Sequence, residues 1–211
     1  LGKQNVSPKH INSSNWKELS PEICNNFYEE YKEFLDQFDG FICAYPPAFS
    51  LLYENTNKPI LLVCPIRYEH PFTNNKEKWE WLNSYIKTGI NQKRIIPITN
   101  NKYDAEYFRA WIGEEIEHIP SLCEYTNTKH KKTKEEYLLF SRGLRLDNKS
   151  IIHRDDLGHT TWETMYSFSG IIHFPYTCST MSIFEQYTGG VPLYFPSKEY
   201  VKELYHTFFD R

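Results

Sequence analysis

What most restricts this chain is a series of short, unbroken apolar runs separated by segments with helical spacing. Residues 41–45, 60–64, 94–98, 116–119, 137–140, 150–153, 170–174 and 192–195 are too short for helices, and most are too continuous for strands with one wet face. Strands of this kind are buried on both faces and need helices to cover them. The expected class is therefore α/β with parallel sheets. Helix signals fill the intervals. Ser20 precedes Pro21 as an N-cap before a proline at the first helical position, and Ile23, Phe27, Tyr31, Phe34, Leu35 and Phe38 follow until Asp39 and Gly40 stop them. Helices are likewise expected over 48–54, 77–87, 103–111, 161–168, 180–188 and 198–209. Residues 125–136 are polar, with Lys129, Lys131, Lys132 and Lys134 close together, and read as a solvated linker. That linker divides the chain into an α/β lobe over 1–130 and a second over 131–211, with no internal repeat.

Composition narrows the functional classes. In 211 residues, 40% hydrophobic and 24% charged side chains exclude disorder and collagen-like structure. The aromatic share of 17% predicts thick core layers or stacking surfaces for planar or sugar ligands. A net charge of −3, with the two signs interspersed, provides no phosphate-neutralising stripe, so nucleic acid is not an expected partner. Five cysteines form no C-x-x-C, and Cys43 and Cys64 lie within apolar runs, which points to a reducing, cytoplasmic setting. The longest apolar run, 59–66, falls far short of the ~20 residues that span a bilayer, so no membrane span is expected. The chain opens on Leu1 rather than Met, which suggests a piece of a longer multidomain polypeptide.

The stretch 170–193 carries the most chemistry. A strand is followed by a Pro-containing, hydroxyl-rich turn, a helix opening at Ser179 and Thr180, Glu185 one turn inside, Gly189 and Gly190 as a stop, and another strand. A helix N-terminus behind a parallel strand offers free N–H groups to phosphate, and Ser179, Thr180 and Ser182 add hydroxyl donors. Glu185 stands where an acid accepts from ribose hydroxyls; the bland reading is an exposed helix carboxylate. Ser179 and Thr180 also suit plain N-caps.

The spacing Glu185-x-x-x-x-Gly190-x-Pro192 after a strand and short loop resembles the nucleotide-sugar signature of GT-B glycosyltransferases, including transferases of large viruses and protists. The likeness extends to 138–143, similar to the opening strand of that family's second domain with its diphosphate-binding arginine, and more loosely to 38–46 and 58–62. The resemblance implies two Rossmann-like lobes of GT-B type, the first truncated because its opening glycine-rich strand–helix unit is absent. It implies a metal-independent, inverting transfer of a sugar from a UDP- or GDP-linked donor to a glycan or other hydroxyl acceptor, with no other cofactor. The implied donor-binding residues are Arg142, His173, Tyr176, Ser179, Thr180, Met181 and Glu185. Against these stand a surface pairing of Arg142 with Asp147 or Asp155 and a merely packed His173. A sugar-nucleotide epimerase or hydrolase, and a non-catalytic sugar- or nucleotide-binding module, are the alternatives.

An inverting transfer needs a base for the acceptor hydroxyl. The segment 67–71 leaves the carboxyl end of the strand 60–66, where open α/β sheets keep their sites, and offers Glu69 or His70; the bland reading is a surface loop with an Arg67–Glu69 pair. Asn100, Asn101 and Asp104 follow the strand 94–98 in the same way, although they also suit ordinary helix capping. No G-x-S-x-G, P-loop, G-x-G-x-x-G, H-E-x-x-H or D-x-D motif is present, and the eight histidines lack ligand spacing, so no metal is expected even at Asp155 and Asp156.

Overall fold

The computed structural model describes residue 11 and residues 15–141, 145–174 and 180–209. The chain divides by internal contacts into a first unit, 1–120, and a second, 121–211, so the boundary lies earlier than the polar stretch suggested. Each contains a four-stranded, all-parallel sheet, and the protein is α/β, compatible with a Rossmann-like fold. Among the described residues no helix is long and apolar enough to cross a membrane.

In the first unit α1 (Pro21–Leu35) begins where Ser20 Oγ accepts from Ile23 N at 3.3 Å. It is followed by β1 (Phe41–Cys43), a 3-10 helix (Pro47–Thr56), β2 (Ile60–Cys64), α2 (Lys76–Asn91), β3 (Ile95–Thr99), α3 (Lys102–Ile112) and β4 (Glu117–His118). Asn75 and Asn101 cap α2 and α3 through their side chains, and Gly113 ends α3 in the left-handed region (φ 77°). The segment expected as an α-helix over 48–54 is thus 3-10, and the strand expected over 116–119 shrinks to two residues.

The strand order β1-β2-β3-β4 never reverses. Right-handed crossovers between successive neighbours all pass over the same face of such a sheet, so helical cover falls on one side. Cys43, Ile60, Leu62, Cys64 and Ile95 are buried there with Leu51, Leu82, Ile86 and Phe108. The other side carries Ile42 at 74% and Ile96 at 53% exposure, in register across Leu61. Cover on both faces, expected from the continuous runs, does not hold for this sheet.

The second unit runs β5 (Tyr137–Phe140), β6 (Ile151–His153), a 3-10 turn (Arg154–Leu157), α4 (Trp162–Met165), β7 (Ile171–His173), α5 (Met181–Thr188), β8 (Leu193–Tyr194) and α6 (Lys198–Phe209). Its order is β6-β5-β7-β8: the chain starts in the middle, adds β6 on one side of β5, then returns to add β7 on the other. Leu138 and Ile171 pack with Met165, Tyr166, Phe168 and Val191. The helix expected over 161–168 stops after one turn, where the Ser167 hydroxyl donates back to Thr164 O at 2.7 Å and competes with the helical ladder. Gly189 and Gly190 are both required. A Cβ on Gly189 would lie 2.4 Å from the Tyr166 ring, and Gly190 adopts φ +75°.

The polar stretch 125–136 is not a solvated linker. His130 N donates to Gly189 O (2.8 Å), Lys131 N to Tyr166 O (3.1 Å) and Thr133 N to Ser167 O (2.8 Å), and Lys134 Nζ lies 4.1 Å from the Phe168 ring centroid. It is a strap bonded along the second unit, which is why the boundary moves to 120.

The C-terminus of α1 depends on one side chain. Lys58 Nζ donates to Leu35 O (3.0 Å), Asp36 O (2.8 Å) and Phe38 O (2.6 Å), satisfying carbonyls that the helix end leaves open. Lys58→Met should lower the unfolding free energy of the first unit by about 1.5–3 kcal/mol, the range for hydrogen bonds to a charged group. Urea unfolding followed by tryptophan fluorescence checks this, and an unchanged midpoint contradicts it.

Candidate functional site

In an open parallel sheet, two neighbouring strands whose crossovers leave by opposite faces open a crevice at their carboxyl ends. In the second unit those strands are β5 and β7, paired from Leu138↔Ile171 to Phe140↔His173. Arg142 follows β5, and Tyr176 and Ser179 follow β7; all three lie outside the described residues. Thr180 is described and occupies the N-cap position of α5. It is only 9% exposed, makes no cap bond, and its buried Oγ1 has no partner. A buried hydroxyl left unpaired costs about 1–3 kcal/mol, so a ligand accepting from it at the helix N-terminus would recover that loss.

Met181 opens α5 and is 43% exposed. Glu185, half-buried one turn on, accepts a hydrogen bond from the Tyr125 hydroxyl. His173 is packed rather than presented. It is 3% exposed, its ring stacks on Phe195 (5.6 Å, 18°) and tilts on Phe140 (5.3 Å), and its Nε2 is 2.5 Å from Oε1 of the fully buried Gln186. Burial lowers its pKa, against the opposing pull of Gln186. α5 therefore carries Thr180 at its N-cap, Met181 at its first position and Glu185 one turn further on, while His173 is packed at the end of β7. On the sheet face opposite the core, Tyr137, Ile172, Phe174, Tyr194, Phe195 and Tyr200 line a groove of about 400 Å³ that reaches the end of β7.

The first unit gathers its chemistry at the carboxyl ends of β2 and β3. Glu69 is 1% exposed. Its Oε1 accepts from Tyr107 OH (3.1 Å) and lies 3.5 Å from Arg67 Nε, while Oε2 is buried without a partner. The Arg67 guanidinium lies 5.8 Å from the Tyr107 ring centroid, and burial followed by the Glu69 charge pushes the Tyr107 phenol up to about 12. The anticipated Arg67–Glu69 pair exists, but its acid is sealed from solvent rather than on a surface loop. His70 is half-exposed, stacked on Tyr45 (6.0 Å, 18°) and tilted against Trp16 (5.6 Å). Its burial, then Lys17, lower its pKa, with Arg67 adding and Glu69 opposing. Asp104 is 3% exposed; Oδ2 accepts from Asn101 Nδ2 at 2.5 Å, and Oδ1 is buried without a partner. Burial raises its pKa against the pull of Asn101 and Arg67.

Asp156 is engaged by Arg145 through two hydrogen bonds of 2.9 and 3.2 Å, and the described residues contain no cluster of three His, Cys, Asp or Glu suited to a metal. Sequence reasoning missed Tyr107 and Tyr125. Tyr107 was legible in principle, three residues after Asp104 and thus beside it on α3; Tyr125 was hidden in the apparent linker. Comparison with protein-family models, with curated proteins and with solved structures returns no match to the chain.

A depressed histidine pKa has a defined consequence for stability. The folded state holds His173 neutral, so the unfolded chain binds the proton more readily. Its contribution is full above the ordinary value of about 6.5 and is lost as pH falls through that value toward the depressed one. Denaturation followed at Trp162, the one tryptophan of the second unit, should show wild-type stability falling below pH about 6.5 and a flatter profile for His173→Phe. Parallel profiles would remove His173 as the cause.

Proposed function

We propose that the second unit binds a nucleoside diphosphate sugar and that the protein is a glycosyltransferase of GT-B type. The observation that supports this best is the reversal of strand order between the parallel neighbours β5 and β7, whose crevice leads toward the start of α5 with its buried, unpartnered Thr180 hydroxyl. Peptide N–H groups at that helix start, Thr180 Oγ1 and the Arg142 guanidinium would hold the diphosphate electrostatically, with Ser179 adding a hydroxyl. Glu185 would accept from the ribose, and the aromatic groove beside Phe174 offers ring faces to the base.

In the transfer, an acceptor hydroxyl oxygen attacks the anomeric carbon as the bond to the diphosphate oxygen breaks. The hydroxyl proton passes to a base, and the leaving diphosphate keeps the electron pair. Of the two base candidates, His70 fits better. It reaches solvent, and its lowered pKa keeps the imidazole neutral and able to take a proton at neutral pH. Glu69, sealed behind Tyr107 and Arg67, acts as their positioning residue.

Calorimetric titration with UDP and GDP should detect binding that persists in EDTA and weakens by about 1–3 kcal/mol in a folded Glu185→Ala variant. No binding, or an unchanged affinity in that variant, contradicts the assignment. His70→Ala should lose roughly 10²–10⁴ in sugar transfer while keeping nucleotide affinity, and Glu69→Gln should lose less. The reverse order would make Glu69 the base.

A further inference from the structure

Glu185, the carboxylate read as the ribose acceptor, already accepts a hydrogen bond from within the chain. The donor is Tyr125 OH, from the 3-10 helix Glu124–Thr126 in the strap of the second unit. The backbone on both sides of Tyr125 is fastened to the end of α5. Cys123 N donates to Thr188 Oγ1 (3.3 Å), His130 N to Gly189 O (2.8 Å) and Lys129 Nζ to Thr188 O (3.0 Å). Asn127 closes the turn in the left-handed region at φ 46°. Tyr125 as a residue, by contrast, is 65% exposed. Its hydroxyl also meets the Cys123 thiol, so the backbone is held by bonds of its own and rotation of the side chain breaks only the hydroxyl's contacts with Glu185 and Cys123.

We propose that Tyr125 is an internal stand-in for a ligand hydroxyl, occupying Glu185 in the free protein and displaced by the vicinal 2′,3′-diol of a ribonucleotide. The inference rests on the nucleotide reading above. A phenol offers one donor to the carboxylate, whereas a ribose diol offers two, one for each oxygen. Desolvation and the Glu185 charge push the Tyr125 phenol above its ordinary range, so at neutral pH it remains a donor and never a competing anion. Exchange needs only a side-chain rotation, because the anchoring bonds at Thr188 and Gly189 do not involve the ring. The arrangement imposes a penalty on ligands that use Glu185 and none on ligands that lack the diol.

That asymmetry separates this inference from the nucleotide reading itself. UDP, GDP and their 2′,3′-dideoxy counterparts are titrated calorimetrically into the full chain, Tyr125→Phe, Glu185→Gln and the double variant. Tyr125→Phe should tighten the ribonucleotides roughly three- to tenfold, the worth of one released hydrogen bond, and leave the dideoxy forms unchanged. In the Glu185→Gln background the same substitution should have no such selective effect. Tyr125 is exposed, so removing its hydroxyl leaves no cavity, and thermal unfolding of the variant confirms the fold. If Tyr125→Phe alters ribo and dideoxy forms equally, or neither, the stand-in role is overturned while the nucleotide site stands. If the wild-type chain binds neither UDP nor GDP, both fall.

Discussion

The second unit is organised by the pairing of β5 on both of its edges. Tyr137 N donates to Ser150 O on the β6 side and Leu138 N to Gly170 O on the β7 side, at 2.8 and 3.0 Å. Once a parallel strand is flanked this way by the next two strands in the chain, right-handed crossovers must depart over opposite faces, and the carboxyl ends of β5 and β7 are left uncovered between them. Everything read as functional in this unit follows from that gap. α5 is the next described helix after β7, Thr180 is buried at its N-cap without a partner, and His173 is pinned by Gln186 at the strand end. The first unit has the same parallel chemistry but no reversal. It therefore places its polar groups, Glu69 and Asp104, along one uninterrupted strand edge.

Each unit, taken by itself, holds buried oxygens without a partner. Thr180 Oγ1, Glu69 Oε2 and Asp104 Oδ1 all sit at or just beyond carboxyl ends of parallel strands. Burying such atoms without partners opposes folding by about 1–3 kcal/mol each, a cost that a bound water, ion or ligand accepting from or donating to them would offset. Glu69 also organises its surroundings, fixing Tyr107 by hydrogen bond and Arg67 by charge. Removal of its charge is expected to loosen both neighbours together.

Much of this was legible in residues 20–119 and 137–209, because caps and continuous apolar runs are local signals. Ser20 before Pro21, Asn101 before α3, and Gly189-Gly190 after α5 mark helix ends at the positions the structure has. The order of strands is not a local signal. Runs 41–45, 60–64 and 94–98 read as doubly covered, yet the unreversed order leaves Ile42 and Ile96 exposed. The strap was illegible for a different reason. Its Lys129, Lys131 and Lys132 are exposed while its peptide groups bond Tyr166, Ser167 and Gly189, and a hydropathy pattern does not register backbone bonds. Of the residues that the resemblance implied for a donor, Thr180 stands at the N-cap of α5 and Glu185 one turn inside it, the local positions that the helix signals gave. His173 illustrates the converse, a histidine beside apolar residues that turns out to be packed, its ring against Phe140 and Phe195.

A nucleotide seated in the crevice between β5 and β7, as proposed, would have to protect the backbone around it. Amide hydrogen exchange with and without saturating UDP or GDP tests it directly, because exchange reports protection segment by segment. Slowed exchange is expected in 141–145 and 174–186, with the first unit unaffected by nucleotide alone. Protection confined to 60–72 and 99–107, or no protection in the second unit under conditions where binding is measured, would contradict it.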